Sequence, residues 1–140
     1  MLNDPSSNYP KIAACACGAL TVSVGAPPQW AHACTCLDCQ RRSGSAFSYT
    51  AFFADGDAAI AGEPRSYRRI ADSGRWHESN FCPACGCTVF IRMEAMPDMI
   101  AIPAGSFADP TFIKPGRLYW SSRRHHWLSA PAGVEPVETQ

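Results

Sequence analysis

The stretch Ala19-Leu-Thr-Val-Ser-Val-Gly25 alternates apolar and polar residues, the period of a half-buried strand, and Pro27 and Pro28 end it. Five further segments read as strands: Phe47–Phe53, Ser66–Ile70, Trp76–Phe81, Thr88–Met93 and Met99–Pro103. Turn signals separate them: Asp55-Gly56-Asp57, Gly62-Glu63-Pro64, Asp72-Ser73-Gly74 and Pro97-Asp98. One short helical turn is expected over Leu37 to Ser43, stopped by Gly44. There is no long amphipathic helix and no repeat. This pattern predicts an all-β chain, a sandwich or a partly open barrel with only short helical turns. From Ala130 onward, Pro, Gly, Val, Glu and Thr predict an extended or frayed tail.

Length and charge narrow the class. A chain of 140 residues with 46% hydrophobic and 17% charged side chains suits one globular domain. No apolar run approaches the roughly 20 residues of a membrane span, so no membrane association is expected. Residues 1–10 carry neither the basic stretch nor the apolar core of a secretory leader, and a cytoplasmic location is the expectation. Twelve basic and 12 acidic side chains cancel, which speaks against a nucleic-acid binder, whose affinity rests on excess Lys and Arg. Lysine occurs only at Lys11 and Lys114; the remaining cations are arginines, suited to bidentate recognition of carboxylate or phosphate.

The cysteines carry the chemistry. Eight of them fall in three clusters, Cys15-Ala-Cys17-Gly, Cys34-Thr-Cys36-Leu-Asp-Cys39 and Cys82-Pro-Ala-Cys85-Gly-Cys87. A disulfide framework would not persist in a reducing compartment, and C-x-C neighbours bridge each other poorly. A redox C-x-x-C would be expected in a βαβ context, which is missing. Metal ligation is the reading that remains. The C-P-x-C-G segment is a knuckle: Pro presets φ, Gly lets the turn close, and two thiolates converge on one ion. Its simplest partner is the pair Cys15 and Cys17. A closed Cys₄ zinc site of this kind would contribute about 10 kcal/mol to folding. Cys34, Cys36 and Cys39 are then left to place three thiolates on a second ion with the fourth position open, as catalytic zinc requires. A second structural site, closed by Cys87 or a histidine, is the alternative.

These residues resemble the glutathione-dependent formaldehyde-activating family, which shares a domain with centromere protein V. The matching segments are Cys15-Ala-Cys-Gly18, Cys34-Thr-Cys-Leu-Asp-Cys39, Arg41-Arg-Ser-Gly44, Phe81-Cys-Pro-Ala-Cys-Gly86, Ala104-Gly-Ser-Phe-Ala-Asp-Pro110 and Trp127. The resemblance implies an Mss4-like two-sheet β fold over residues 12–128, with an extension at 1–11 and a tail at 129–140. It implies a structural zinc on Cys15, Cys17, Cys82 and Cys85 and a catalytic zinc on Cys34, Cys36 and Cys39, two ions per chain. The implied reaction adds glutathione, as co-substrate, to formaldehyde: a carbon–sulfur lyase running in reverse. The chain departs from the family where Thr35 and Leu118 replace usual histidines and Cys87 replaces Thr or Ser.

The expected partners are thus a small-molecule thiol and an aldehyde, and a homodimer is compatible with them. Arg41 and Arg42 are candidates to clamp a glutathione carboxylate. Asp38 is a candidate to orient a ligand or water, and Ser43, Ser45 and Ser48 could supply hydroxyls. His32, His77, His125 and His126 lack helix-face ligand spacing, with the last two expected at the surface. Cys87 reads as a small buried hydrophobe. Two other classes share the implied fold: a non-catalytic binding module, and a redox enzyme of the methionine sulfoxide reductase type, which would need Cys87 as nucleophile.

Overall fold

The computed structural model describes residues 8–140 and holds eleven strands and one α-helix, so the chain is mainly β. Residues 1–7, most of the expected N-terminal extension, lie outside the described residues. A three-stranded sheet is formed by β1 (Lys11–Ala14), β2 (Thr21–Val24) and β5 (Ala58–Ala61), in the order β1-β2-β5. The second sheet has eight strands: β3 (Trp30–Cys34), β4 (Ser48–Ala54), β6 (Arg65–Ile70), β7 (Trp76–Phe81), β8 (Thr88–Met93), β9 (Met99–Pro103), β10 (Arg117–Tyr119) and β11 (Glu135–Pro136). Their order is β11-β10-β3-β4-β9-β8-β7-β6. The helix α1 (Leu37–Ser43) joins β3 to β4.

The two faces of the large sheet do different jobs. Along β4 side chains alternate between faces. Ala51 and Phe53 join Val22, Val24, Ile100, Ile102 and Val89 in the buried core between the sheets. Phe52 belongs to the opposite face, packed with Ile91, Met93 and Ala101. Register places His32 opposite Thr50 and Cys34 opposite Ser48, on the Phe52 side. At the other end of the sheet Arg69 pairs with His77 and His77 with Met93, and Tyr67 with Ser79 and Ser79 with Ile91. This second face therefore carries the polar and titratable groups. A register shift at Asn80/Phe81 lets Val89 and Phe90 both enter the core.

The expected strands appear, and β7, β8 and β9 match to the residue. The tail is extended but not frayed. Glu135 and Pro136 pair in parallel with Arg117 and Leu118, and Val134 is buried against Leu118 and Ala33. Pairing to β10 supplies partners that the segment's composition does not reveal.

Candidate functional site

Two thiol clusters form, each from backbone turns written in the sequence. In the first, the Cys15 N–H donates to the Leu20 carbonyl (3.0 Å) and the Cys82 N–H to the Cys87 carbonyl (3.0 Å). Both loops thus close over five residues. Gly18 and Gly86 each take φ +80°, the left-handed conformation that lets the loop fold under its sulfurs. The Sγ atoms of Cys15, Cys17, Cys82 and Cys85 all lie within 4.8 Å of one another. Cys17 Sγ is 3.6 Å from both Cys15 Sγ and Cys82 Sγ. Tetrahedral zinc at a Zn–S distance of about 2.3 Å requires an S···S edge of about 3.8 Å, so this donor set fits the ion. Backbone N–H groups of Cys87 and Cys17 favour the Cys85 thiolate, whose pKa falls to about 6. The Leu20 N–H, 3.3 Å from Cys15 Sγ, acts on Cys15 in the same direction.

The second cluster is Cys34, Cys36 and Cys39, whose Sγ atoms also lie within 4.8 Å of one another. Cys34 ends β3. Cys36 is the N-cap of α1, and its Sγ accepts the Cys39 N–H at 3.3 Å. Gly44, at φ +64°, closes the helix with its N–H on the Gln40 carbonyl. A seven-residue helix with this cap therefore points three sulfurs at one place. Among the described residues neither Cys87 nor any histidine joins the set. The soft three-sulfur donor set fits zinc with a position to spare. Hydrogen bonds from Cys34 and Cys36, then the Ser48 hydroxyl and the Arg42 charge, hold Cys39 far below an ordinary thiol. Sharing a proton with Cys36 and Cys39, together with burial, pushes Cys34 up.

A cleft of about 450 Å³ runs beside α1. Asp38, Arg41 and Arg42 line one wall; Tyr67, Arg69 and Ile70 of β6 line the other, with Ser79 and Thr88. Arg69 Nη1 donates to Asp38 Oδ2 at 3.1 Å and so ties helix to strand. Asp38 is thereby half-buried and paired, not a free turn residue. Arg42 belongs to both places: it lines the cleft, and its charge acts on Cys39. Burial lowers the pKa of His32 and of His77, and both lie within electrostatic range of Cys39. Each is therefore a neutral imidazole at neutral pH.

Other candidates fall elsewhere. Ser48 is buried beneath the cluster, and its hydroxyl donates to the Cys34 carbonyl at 3.5 Å. Ser43 and Ser45 instead close the loop after α1, Ser43 through the Phe47 carbonyl and Ser45 through the Phe47 N–H. His125 and His126 are exposed, as expected, although His125 Nε2 reaches Gln40 Oε1 at 2.9 Å. Cys87 packs against the core between the sheets. The sequence pattern does not single out Arg69, Tyr67 and Ile70 as site residues, and it marks His77 only as a histidine without helix-face ligand spacing. Alternation puts Tyr67 and Arg69 on one face of β6, but only the curl of the sheet brings that face to α1.

A model of the glutathione-dependent formaldehyde-activating enzyme family matches residues 11–123. The chain belongs to this family. The structure also resembles the crystal structure of a Rhodobacter sphaeroides protein, with a TM-score of 0.55 at 19% identity, covering 71% of this chain and 91% of that one. At that identity the likeness concerns the fold alone. No curated protein matches the sequence. As a member of the formaldehyde-activating family, the chain retains both cysteine clusters, and both could hold a metal ion. Two of the three expected departures, at Thr35 and Leu118, have structural explanations. Thr35 is fully buried, and its hydroxyl donates to the carbonyls of Trp120 (2.6 Å) and Tyr119 (3.2 Å), away from the sulfurs. Leu118 is buried on β10 with Ala33 and Val134. Both positions serve the β3–β10 seam in this member. Among the described residues, no helix is long and apolar enough to cross a membrane.

Proposed function

We propose that this member of the family is a zinc-dependent enzyme of the carbon–sulfur lyase type, adding a thiol such as glutathione to a small aldehyde. The observation that carries the reading is the three-thiol cluster with no fourth protein ligand among the described residues, next to a cleft with three guanidinium groups. The two ions have separate tasks in this reading: Cys15, Cys17, Cys82 and Cys85 hold the fold, and Cys34, Cys36 and Cys39 hold the reactive ion. Zinc in the second cluster would supply a position at which an incoming thiol is kept as thiolate at neutral pH, although a free thiol has a pKa of about 8.5. Arg41 and Arg42, with Arg69 held in place by Asp38, bind the carboxylates of that thiol through charge-assisted forks. Fixing one reactant there turns a bimolecular encounter into an effectively unimolecular step. His32 and His77 lie within electrostatic range of Cys39, and an imidazole kept neutral by burial is a group able to accept a proton released at the cluster. Seven thiolate ligands call for a reducing compartment such as the cytoplasm.

Cys87 is a poor nucleophile for a reductase, since it packs against the core rather than lining the cleft. The test is zinc per chain by elemental analysis, for the wild type and Cys36→Ser. Two ions falling to one, with the β-sheet circular dichroism retained, supports the division of tasks. A single ion in the wild type, unaffected by the substitution, sinks it. Calorimetry with glutathione then asks whether the thiol binds only to the protein carrying two ions.

A further inference from the structure

Large apolar side chains left in water are informative when they gather. Eight are exposed among the described residues. Five of them lie on or beside α1. Leu37 is its first residue, and the Phe47 carbonyl accepts from its Ser43. Tyr67 and Ile70 share the cleft with it. Trp127 packs edge-on against His125, which reaches its Gln40. Tyr67 and Ile70 are 67% and 68% exposed on an edge strand, where bare apolar groups invite aggregation unless they have a use.

The cleft divides by chemistry. Arg41 and Arg42, beside Arg69 paired with Asp38, leave a net positive charge that can hold an anionic thiol, and Tyr67 and Ile70 add an apolar surface such a thiol does not need. A one-carbon aldehyde does not need it either, whereas about 450 Å³ is room for a larger reactant. A second copy of the chain is a poor occupant, because a two-fold contact through this face would set Arg41 and Arg42 against their own counterparts, the one carboxylate there, Asp38, being already paired with Arg69.

We propose that Tyr67 and Ile70 form the subsite for the organic group of the aldehyde, and that the acceptor is an aldehyde bearing a bulky alkyl or aromatic substituent. The inference rests on the lyase reading above. In the reaction the sulfur of RSH bonds to the carbonyl carbon, the C=O π bond breaks, and the thiol proton ends on the oxygen, giving R′CH(OH)SR with no oxidant or reductant. The apolar wall retains R′ while the arginines retain the carboxylates of R.

Stable thioethers stand in for this adduct, so binding can be read without turnover. Calorimetry on the zinc-loaded protein should find S-hexylglutathione binding at least about tenfold tighter than S-methylglutathione, given the additional methylenes that leave water. Ile70→Ser and Tyr67→Ser, both at exposed positions that the fold tolerates, should bring the ratio of the two affinities toward one. Saturation-transfer NMR of hemithioacetal exchange should rank hexanal and phenylacetaldehyde above formaldehyde in kcat/KM. Equal affinities for the two thioethers, or formaldehyde as the best acceptor, would overturn the subsite. A dimer in sedimentation that Ile70→Ser dissociates would also overturn it, by showing an interface. If no aldehyde is accelerated while the thioether preference holds, the lyase reading fails and the apolar subsite stands.

Discussion

Replacing Thr35 by Val separates a structural role from a metal-binding one at the position where the family resemblance leads one to expect histidine. Valine keeps the volume and the branched shape and removes only the hydroxyl. That hydroxyl donates to the carbonyls of Trp120 and Tyr119, at 2.6 and 3.2 Å. Two buried carbonyls left without any donor would cost about 1–3 kcal/mol each. They are not left bare. The Tyr119 carbonyl still accepts the Thr35 N–H at 3.0 Å, and the Trp120 carbonyl the Arg123 N–H at 2.9 Å. The loss is then one net hydrogen bond, about 0.5–1.5 kcal/mol. Trp120 sits at φ +55°, a conformation unfavourable for a side chain of this size, so some of that loss will show as loosening of residues 119–123. Urea unfolding at fixed free zinc should move the midpoint down by roughly 0.5 M with the slope unchanged. Zinc content should stay at the wild-type value. No shift in the midpoint, or loss of an ion from the variant, would refute the reasoning; a cost above about 3 kcal/mol would mean that the alternative donors do not hold.

Two further outcomes follow from the same structure. Burial, with a smaller effect from Asp109, raises Tyr49 to about 12, and its hydroxyl donates to the Ile113 carbonyl. The folded state keeps this proton longer than the unfolded chain, so the contribution is complete below pH 10 and is lost as pH rises toward about 12. Absorbance at 295 nm should show a tyrosine step near pH 12 that Tyr49→Phe removes, and a normal step near pH 10 in its place would refute the burial argument. Gly62 turns at φ +95°, and a Cβ there would stand 2.1 Å from the Ala19 carbonyl oxygen. Gly62→Ala should therefore cost more than about 1 kcal/mol, whereas Gly56→Ala, at a site with open space, should cost less in the same urea titration.

How much could be read in advance depended on whether the signal was local. Strands β7, β8 and β9 were legible because turn signals or the cysteine knuckle bound each of them; β8 and β9 are buried on both faces, so alternation does not mark them. α1 was legible from Gly44, since only a left-handed residue ends the helix there. Strands β1, β3, β5, β10 and β11 were not. They are two to five residues long, too short to record a period, and β10 pairs with β3 across 85 positions, between Ala33 and Leu118. Of the candidate site, Arg41 and Arg42 came with the cysteine cluster, but Arg69, 27 positions after Arg42 in the numbering, announced itself by nothing nearby.

The sequence by itself determined the two thiol clusters that could hold metal ions. Turns such as Cys82-Pro-Ala-Cys-Gly86 are closed by Gly and capped by backbone N–H groups within a few residues, so their thiol geometry is nearly complete locally. The tertiary structure decided which pairs meet and what surrounds the second cluster. Joining Cys15 and Cys17 to Cys82 and Cys85 spans 65 positions, between Cys17 and Cys82. Setting Arg69, Tyr67 and Ile70 across from α1 needs the whole curled sheet. Electrostatics and apolar contact act through space, and alternation along one strand records which residues share a face but not what that face will meet.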